Sequence, residues 1–290
     1  MRPPPSGETR VAGVIGDPVR HSLSPALHNA AFAELRLDWT YVAFEVPVGR
    51  GGEAVAAMAV LGIEGLSVTM PHKRDAAEAC DELSPAAALL GAVNCVRRDG
   101  DRIIGENTDG AGLLRSLRIQ AGVDPAGLHA VVLGAGGAAR AVIVALAAEG
   151  ASVTVVNRSP EAAERAAALG ASAGAAAAGA SGAPVGTATV GGPRAVRDAD
   201  VVVNATPLGM TRGDPLPIDP ALVRDGQIVV DLIYRPERTP LLEAAAQAGA
   251  TTLNGTGMLL YQAAEQFSMW TGHDAPVDAM AAAVGLDIAG

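Results

Sequence analysis

The chain is 290 residues long, enough for two modest domains or one large one. Asp and Glu outnumber Lys and Arg by 31 to 21, and the resulting formal charge of −10 repels phosphate backbones and anionic headgroups, which argues against nucleic acid and membrane surfaces as partners. Apolar residues make up 49% but aromatic ones only 3%, so the interior has to be built from Ala, Val, Leu and Ile, as in parallel strands covered by helices.

The first ten residues, "MRPPPSGETR", carry prolines where a secretory signal needs an apolar core, and no apolar run approaches the ~18 residues that span a bilayer. Cys80 and Cys95 form no CxxC and no metal spacing. The expectation is a cytoplasmic chain without disulfides or a metal site.

Apolar runs at 11–16, 40–46 and 65–70 read as strands, and 25–37 and 52–61 carry helical spacing, giving β-α-β-α-β. "SLSPALHN" (22–29) sets Ser22 and Ser24 ahead of a proline-started helix, where hydroxyls either cap the helix or bind a carboxylate. "SVTMPHK" (67–73) puts Lys73 just past a strand. Ligands of open α/β sheets bind outside the carboxyl ends of the strands, so Lys73 is a candidate for chemistry; a solvated surface lysine is the other reading. A helix follows near 75–82. "VNCVRRDGDRIIG" (93–105) is two short runs joined around Asp99-Gly100, a dipeptide that favours a tight hairpin. Asn94 in "GAVN" and Asp109 in "GENTDGAG" bracket that hairpin. Asn94 is read as a turn former or a site residue, and Asp109 as the N-cap of a helix beginning near 111, as an acid–base group, or as both.

A second cycle starts at 130, with a strand, a glycine turn, a helix at 138–148, a strand at 152–157, a helix at 160–169, strands at 200–204 and 227–234, and a helix at 239–248. In "GAGGAA", Gly134, Gly136 and Ala139 fit G-x-G-x-x-G/A: the first permits the turn, the second lets backbone approach a pyrophosphate, and the third lets helix and strand pack closely. The next strand ends in Asn157, Arg158 and Ser159 with no carboxylate for a ribose 2′-hydroxyl. Arg158 suits a 2′-phosphate instead, so NADP is favoured over NAD. The Ala/Gly-rich stretch 168–193 reads as a loose helix and edge strand or as a mobile loop, with no pattern that decides. The stretches 255–272 and 276–283 read as helices that pack on either domain, and His21, His28 and His72 show no partner or ligand spacing.

These segments together resemble the shikimate dehydrogenase family, in family order over nearly the whole chain: "SLSPALHN", "SVTMPHK", "GAVN", "GENTDG", "GAGGAAR", "NRS", "NATPLGM", "DLIYRPERTPLL" and "NGTGMLLYQAAEQFSMWTG". The resemblance implies an α/β fold with an open, mostly parallel substrate domain (1–110 and 255–290), a Rossmann-like NADP-binding domain (111–254) and a cleft between them. It implies that Lys73 and Asp109 are the catalytic pair, and that Ser22 and Ser24, with Tyr234 near them, hold a carboxylate. Thr69, Asn94 and Gln262 would read ring hydroxyls. Cofactor positions would be Gly134, Ala135, Gly136, Gly137, Ala138, Asn157, Arg158, Ser159, Thr206, Gly255 and Met258, with Gly257 in the same closing segment.

The implied reaction is reduction of 3-dehydroshikimate to shikimate by a monomer or homodimer. A quinate/shikimate or aminoshikimate enzyme, and a non-catalytic ligand-binding regulator, are the alternatives. Three departures from the family pattern stand out: Ser67 where asparagine is usual, Cys95 after "AVN", and Ser159 where threonine is usual. Ser67 is the one that bears on ligand fit, because a hydroxyl is shorter than a carboxamide.

Overall fold

The computed structural model describes residues 4–181 and 184–286. The chain divides into two compact units, Met1–Thr108 with Leu259–Gly290, and Asp109–Met258.

In the first unit the alternation of apolar runs and helices gives β1 (Arg10–Gly16), α1 (Ser24–Glu34), β2 (Trp39–Glu45), α2 (Gly51–Leu61), β3 (Ile63–Val68) and α3 (Lys73–Glu78). Next come β4 (Glu82–Leu83), α4 (Pro85–Leu90), and the hairpin β5 (Cys95–Asp99) and β6 (Arg102–Glu106), which turns through Gly100 at φ 62°. The sheet runs β2-β1-β3-β5-β6-β4; β1, β2 and β3 are parallel, and the hairpin joins β3 antiparallel. β1 is covered on both faces. Ala12 and Val14 pack into one apolar cluster and Ile15 into another, following the two-residue period of the strand.

The second unit holds α5 (Asp109–Gln120), β7 (His129–Leu133), α6 (Gly137–Ala148), β8 (Ser152–Val156), α7 (Pro160–Ser181) and β9 (Thr187–Val190). It continues through β10 (Val201–Asn204), β11 (Ile228–Asp231), α8 (Pro240–Gln247) and β12 (Thr251–Leu253). Its sheet is parallel throughout, in the order β12-β11-β10-β7-β8-β9. Counted along this unit, that is 6-5-4-1-2-3, the doubly wound dinucleotide-binding order whose switch point lies between β7 and β10. The last helices are α9 (Gly255–Thr271) and α10 (Val277–Ala283).

Several boundaries differ from the sequence expectation for local reasons. β3 ends at Val68 rather than at 70, and its helix begins at Lys73 rather than near 75, because the His72 N–H returns to the Thr69 carbonyl and closes a turn. α5 starts at Asp109, so that residue lies in the first turn rather than capping a helix that begins near 111. β11 stops at Asp231, whose carboxylate takes the Ile233 N–H and bends the chain before Tyr234. α4 was not apparent in the sequence, although it has both punctuation marks: the Ser84 hydroxyl accepts from the Ala87 N–H, Pro85 follows, and Gly91 ends the helix at φ 57°. Of the stretch 168–193, residues to 181 continue α7 and 187–190 form β9; 182 and 183 lie outside the described residues.

Most of α9 packs in the first unit. Phe267 and Trp270 join Phe32, Trp39 and Tyr41 in one cluster. The Trp270 indole lies against Gly65, leaving only 2.4 Å to where a Cβ would sit, and its Nε1 donates to the Val96 carbonyl at 3.1 Å.

His28 is sealed into this cluster. Its ring stacks on Tyr41 at 4.4 Å, and among the described residues neither ring nitrogen has a hydrogen-bond partner. Burial pushes its pKa from 6.5 down to about 3. The folded state therefore resists a proton that the unfolded chain accepts, so the contribution to stability is intact above the unfolded pKa and is lost as pH falls from 6.5 toward 3. At pH 4.5 the loss is expected to be about 2 to 3 kcal/mol relative to pH 7. Urea midpoints of the wild type and His28→Phe at the two pH values check this, since the variant should lack that part of the slope.

Candidate active site

The carboxyl ends of β1 and β3 gather the candidate residues of the first unit. After β1 the chain turns into α1 with Ser22 half-buried and Ser24 buried; the Ser24 N–H donates to Ser22 Oγ at 3.2 Å. Thr69 follows β3 directly, and its methyl fills the space beside Gly16, where a Cβ would come within 2.4 Å. Lys73, half-buried, opens α3, and its carbonyl accepts the Val93 N–H at 2.9 Å, which ties it to the segment carrying Asn94. Asp109 is 7% exposed and directly follows Thr108 in the chain.

The first unit also holds a buried polar network. The Thr108 N–H donates to Asn94 Oδ1 at 2.8 Å, and Asn94 Nδ2 donates to Thr108 Oγ1 at 3.0 Å and Gln262 Oε1 at 3.3 Å. Gln266 Nε2 donates to Gln262 Oε1 at 2.6 Å and to Thr108 Oγ1 at 3.1 Å. Ser67 Oγ donates to Gln266 Oε1, and Tyr41 Oη donates to Ser67 Oγ at 2.6 Å. Asn94 and Gln262, more than a hundred and sixty residues apart in sequence, are thus brought into contact. In an interior this aliphatic, buried polar groups are costly unless all are partnered.

Thr108, Gln266 and Tyr41 were not among the sequence candidates. Gln266 was findable, since it lies one turn beyond Gln262 on the same face of a largely apolar helix. Cys95 is buried among the apolar residues of the neighbouring cluster, and burial first, with Glu106 adding to it, pushes its thiol pKa far up. His72 is also buried, with Nε2 2.8 Å from the Val46 carbonyl oxygen. Among the described residues no cluster of His, Cys, Asp and Glu is arranged to hold a metal.

In the second unit Gly134 stands at the switch point with φ 112°, 3.1 Å from the Ala205 carbonyl oxygen at its virtual Cβ, a conformation and a spacing that select glycine. Gly136 and Gly137 open α6 into free space, and no side chain caps Gly136; Ala135 and Ala138 flank them half-buried, while Ala139 is fully buried against the core. Across the crevice, Thr206 Oγ1 donates to Asn204 Oδ1 at 2.7 Å, and Asn204 Nδ2 donates to the buried Asp231 at 3.0 Å. Thr239 Oγ1 donates to the other Asp231 oxygen at 2.7 Å and caps α8. Burial raises the Asp231 pKa, and it raises that of the half-buried Tyr234 just beyond. Gly255 has backbone at 2.1 Å from its virtual Cβ, and Gly257 has Gln120 at 1.9 Å, so both are packing positions; Met258 is buried in the apolar core.

The end of β8 fits a dinucleotide bearing a 2′-phosphate. Arg158 is exposed, Asn157 Nδ2 donates to the Ser159 carbonyl at 3.0 Å, and no acidic residue occupies 157–159. One carboxylate does lie close by: Ser159 Oγ donates to Glu161 at 2.8 Å, and that bond, with backbone and Arg165 contributions, lowers the Glu161 pKa.

Comparison with known proteins follows this division. Residues 14–96 match a model described as the shikimate dehydrogenase substrate binding domain, 255–284 the shikimate 5′-dehydrogenase C-terminal domain, and 130–234 a coenzyme F420-dependent NADP oxidoreductase model. The shikimate dehydrogenase (NADP(+)) of Methanopyrus kandleri is 50% identical over 280 residues, covering 96% of this chain and 95% of that one. A crystal structure of a shikimate dehydrogenase in complex with NADP+ superposes with a TM-score of 0.86 at 37% identity, covering 96% of each chain. Quinate dehydrogenase from Corynebacterium glutamicum in complex with NAD gives a TM-score of 0.82 at 30% identity, over 95% of this chain and 98% of that one.

Proposed function

The chain belongs to the shikimate dehydrogenase family of NADP(+)-dependent oxidoreductases, and from that premise we propose that it reversibly reduces 3-dehydroshikimate to shikimate, with Lys73 and Asp109 moving the proton. The observation that carries this reading is the buried meeting of Asn94, Thr108 and Gln262. A ring bearing several hydroxyls needs donors and acceptors of fixed direction in a dry setting, and a carboxylate needs hydroxyls such as those of Ser22 and Ser24 with Tyr234.

Bound NADP supplies hydride in one direction and takes it in the other. Gly134, Ala135, Gly136, Gly137 and Ala138 would offer backbone to its pyrophosphate, Asn157, Arg158 and Ser159 would hold the 2′-phosphate, and Thr206, with the segment of Gly255 and Met258, would serve the nicotinamide end. During reduction the Lys73 ammonium donates a proton to the oxygen as negative charge develops there. Asp109 is assigned as the base that restores that proton. In the reverse direction the pair removes the proton from the hydroxyl. In this reading the first unit binds the substrate and the second the cofactor, with bounds at 108/109 and 258/259 rather than the expected 110/111 and 254/255, in a cytoplasmic monomer or homodimer. No helix among the described residues is long and apolar enough to cross a membrane.

NADP-linked absorbance change in the purified protein, with shikimate and then quinate and with NADP and then NAD, tests the reading. Fastest turnover with shikimate and NADP is expected. Faster turnover with quinate or NAD favours the alternative to which the quinate dehydrogenase likeness points, and no turnover with any combination overturns both.

A further inference from the structure

We propose that Gln266, held by Ser67, is a positioning residue that fixes which end of the Gln262 carboxamide meets the substrate; this rests on the role given above to Gln262. A glutamine amide has a donor end and an acceptor end of nearly the same shape, and exchanging them turns a hydroxyl's donor partner into an acceptor. Here the sense of every amide traces back to backbone groups that cannot reverse. The Thr108 N–H can only donate, so Asn94 presents Oδ1 to it and Nδ2 elsewhere. The Leu259 and Asn94 carbonyls can only accept, so Gln262 and Gln266 turn Nε2 toward them, at 3.0 and 3.4 Å.

Gln266 carries this sense through the interior. It is fully buried, and its Oε1 is occupied by the Ser67 hydroxyl, whose own acceptor position is filled by the Tyr41 phenol. Its Nε2 then donates to Gln262 Oε1 at 2.6 Å, shorter than the 3.3 Å bond from Asn94 Nδ2 to the same oxygen. Gln262 sits farther out, at 8% exposure. With Oε1 drawn inward by Gln266 and Asn94, Gln262 is left to offer Nε2 as a donor to a ring hydroxyl. Serine at 67 is short, and Gln266 fills the distance with its own carboxamide.

Steady-state kinetics with shikimate and NADP varied in turn test this on the full-length protein. Gln266→Met keeps volume and removes both polar ends. It is expected to raise the shikimate KM by ~10–100-fold, the cost of one unpartnered buried amide, with the NADP KM within about twofold of wild type. Shikimate analogues that each lack one ring hydroxyl should lose their disadvantage in this variant, which simple loosening of the fold would not produce. Ser67→Asn/Gln266→Ala returns a carboxamide from the other side and should bind shikimate better than Gln266→Ala alone.

An unchanged shikimate KM in Gln266→Met, equal rises for both ligands, or no recovery in the double variant would overturn the proposal. Should Gln266→Met fail to fold, Ser67→Ala cuts the chain one link earlier and is held to the same split between ligands. A wild type that does not oxidise shikimate sinks the functional reading as well; an active wild type with indifferent variants sinks this inference alone.

Discussion

Replacing Lys73 by alanine is expected to leave shikimate binding weakened but measurable and to lower turnover by ~10²–10⁴-fold, the range for loss of a positioned acid–base group. The backbone should survive the change. Lys73 opens α3, where alanine is a better helix former, and its carbonyl still receives the Val93 N–H. The loss should therefore appear in kcat, with NADP affinity intact. Asp109→Asn provides the complement: if the two act as a unit, the double variant is little worse than Lys73→Ala alone, because groups that share one proton do not contribute additively. Single-turnover measurement separates this from slow product release. Unchanged turnover in Lys73→Ala would remove that lysine from the mechanism.

Arg158→Asp is expected to raise the KM for NADP by at least ~10–100-fold, from the loss of a charge-assisted pair plus repulsion of the 2′-phosphate, and to leave the shikimate KM unchanged. NAD, which lacks that phosphate, should be used as well as before or better. Glu161 sharpens the expectation. Its carboxylate already holds the Ser159 hydroxyl, so a second acid at 158 leaves the phosphate facing two negative groups at the end of β8. Arg158 is solvent-exposed, so added salt should erode the wild type's preference for NADP and, by screening the repulsion, also weaken the variant's discrimination against it. Equal effects on both cofactors would show that Arg158 does not read the phosphate.

The glycine turn was legible from residues alone because its constraints are local. Gly134 needs a positive φ, Ala139 needs to be small, and both follow from a strand running into a helix. The hairpin at Asp99-Gly100 was legible for the same reason. For α7 only the first ten residues were legible as helix; beyond 169, alanine on every face offers no contrast between core and solvent to decide between helix and loop. Its glycines had a purpose that only packing reveals: a Cβ at Gly170 would come within 2.6 Å of Ile143, and one at Gly174 within 2.2 Å of the Gly186 carbonyl oxygen. The Ser67 departure misled in a similar way. Viewed as a residue facing a ligand it looks too short, but its hydroxyl is spent on Tyr41 and Gln266, and no local pattern joins positions 67 and 266.

The chain leaves the first unit after Thr108 and does not return until Leu259. The cluster around Ala12, Val14, Phe32 and Tyr41 is completed by Leu260, Phe267, Trp270 and Met280, so a ribosome must translate past α9 before the earlier strands of this unit gain their cover. Until then the nascent sheet carries a bare aromatic face, while the intervening unit already has every strand and helix it needs. The second unit is thus placed to fold first during synthesis, and a product cut short anywhere before α9 leaves the cell holding a sticky fragment for chaperones or proteases to clear.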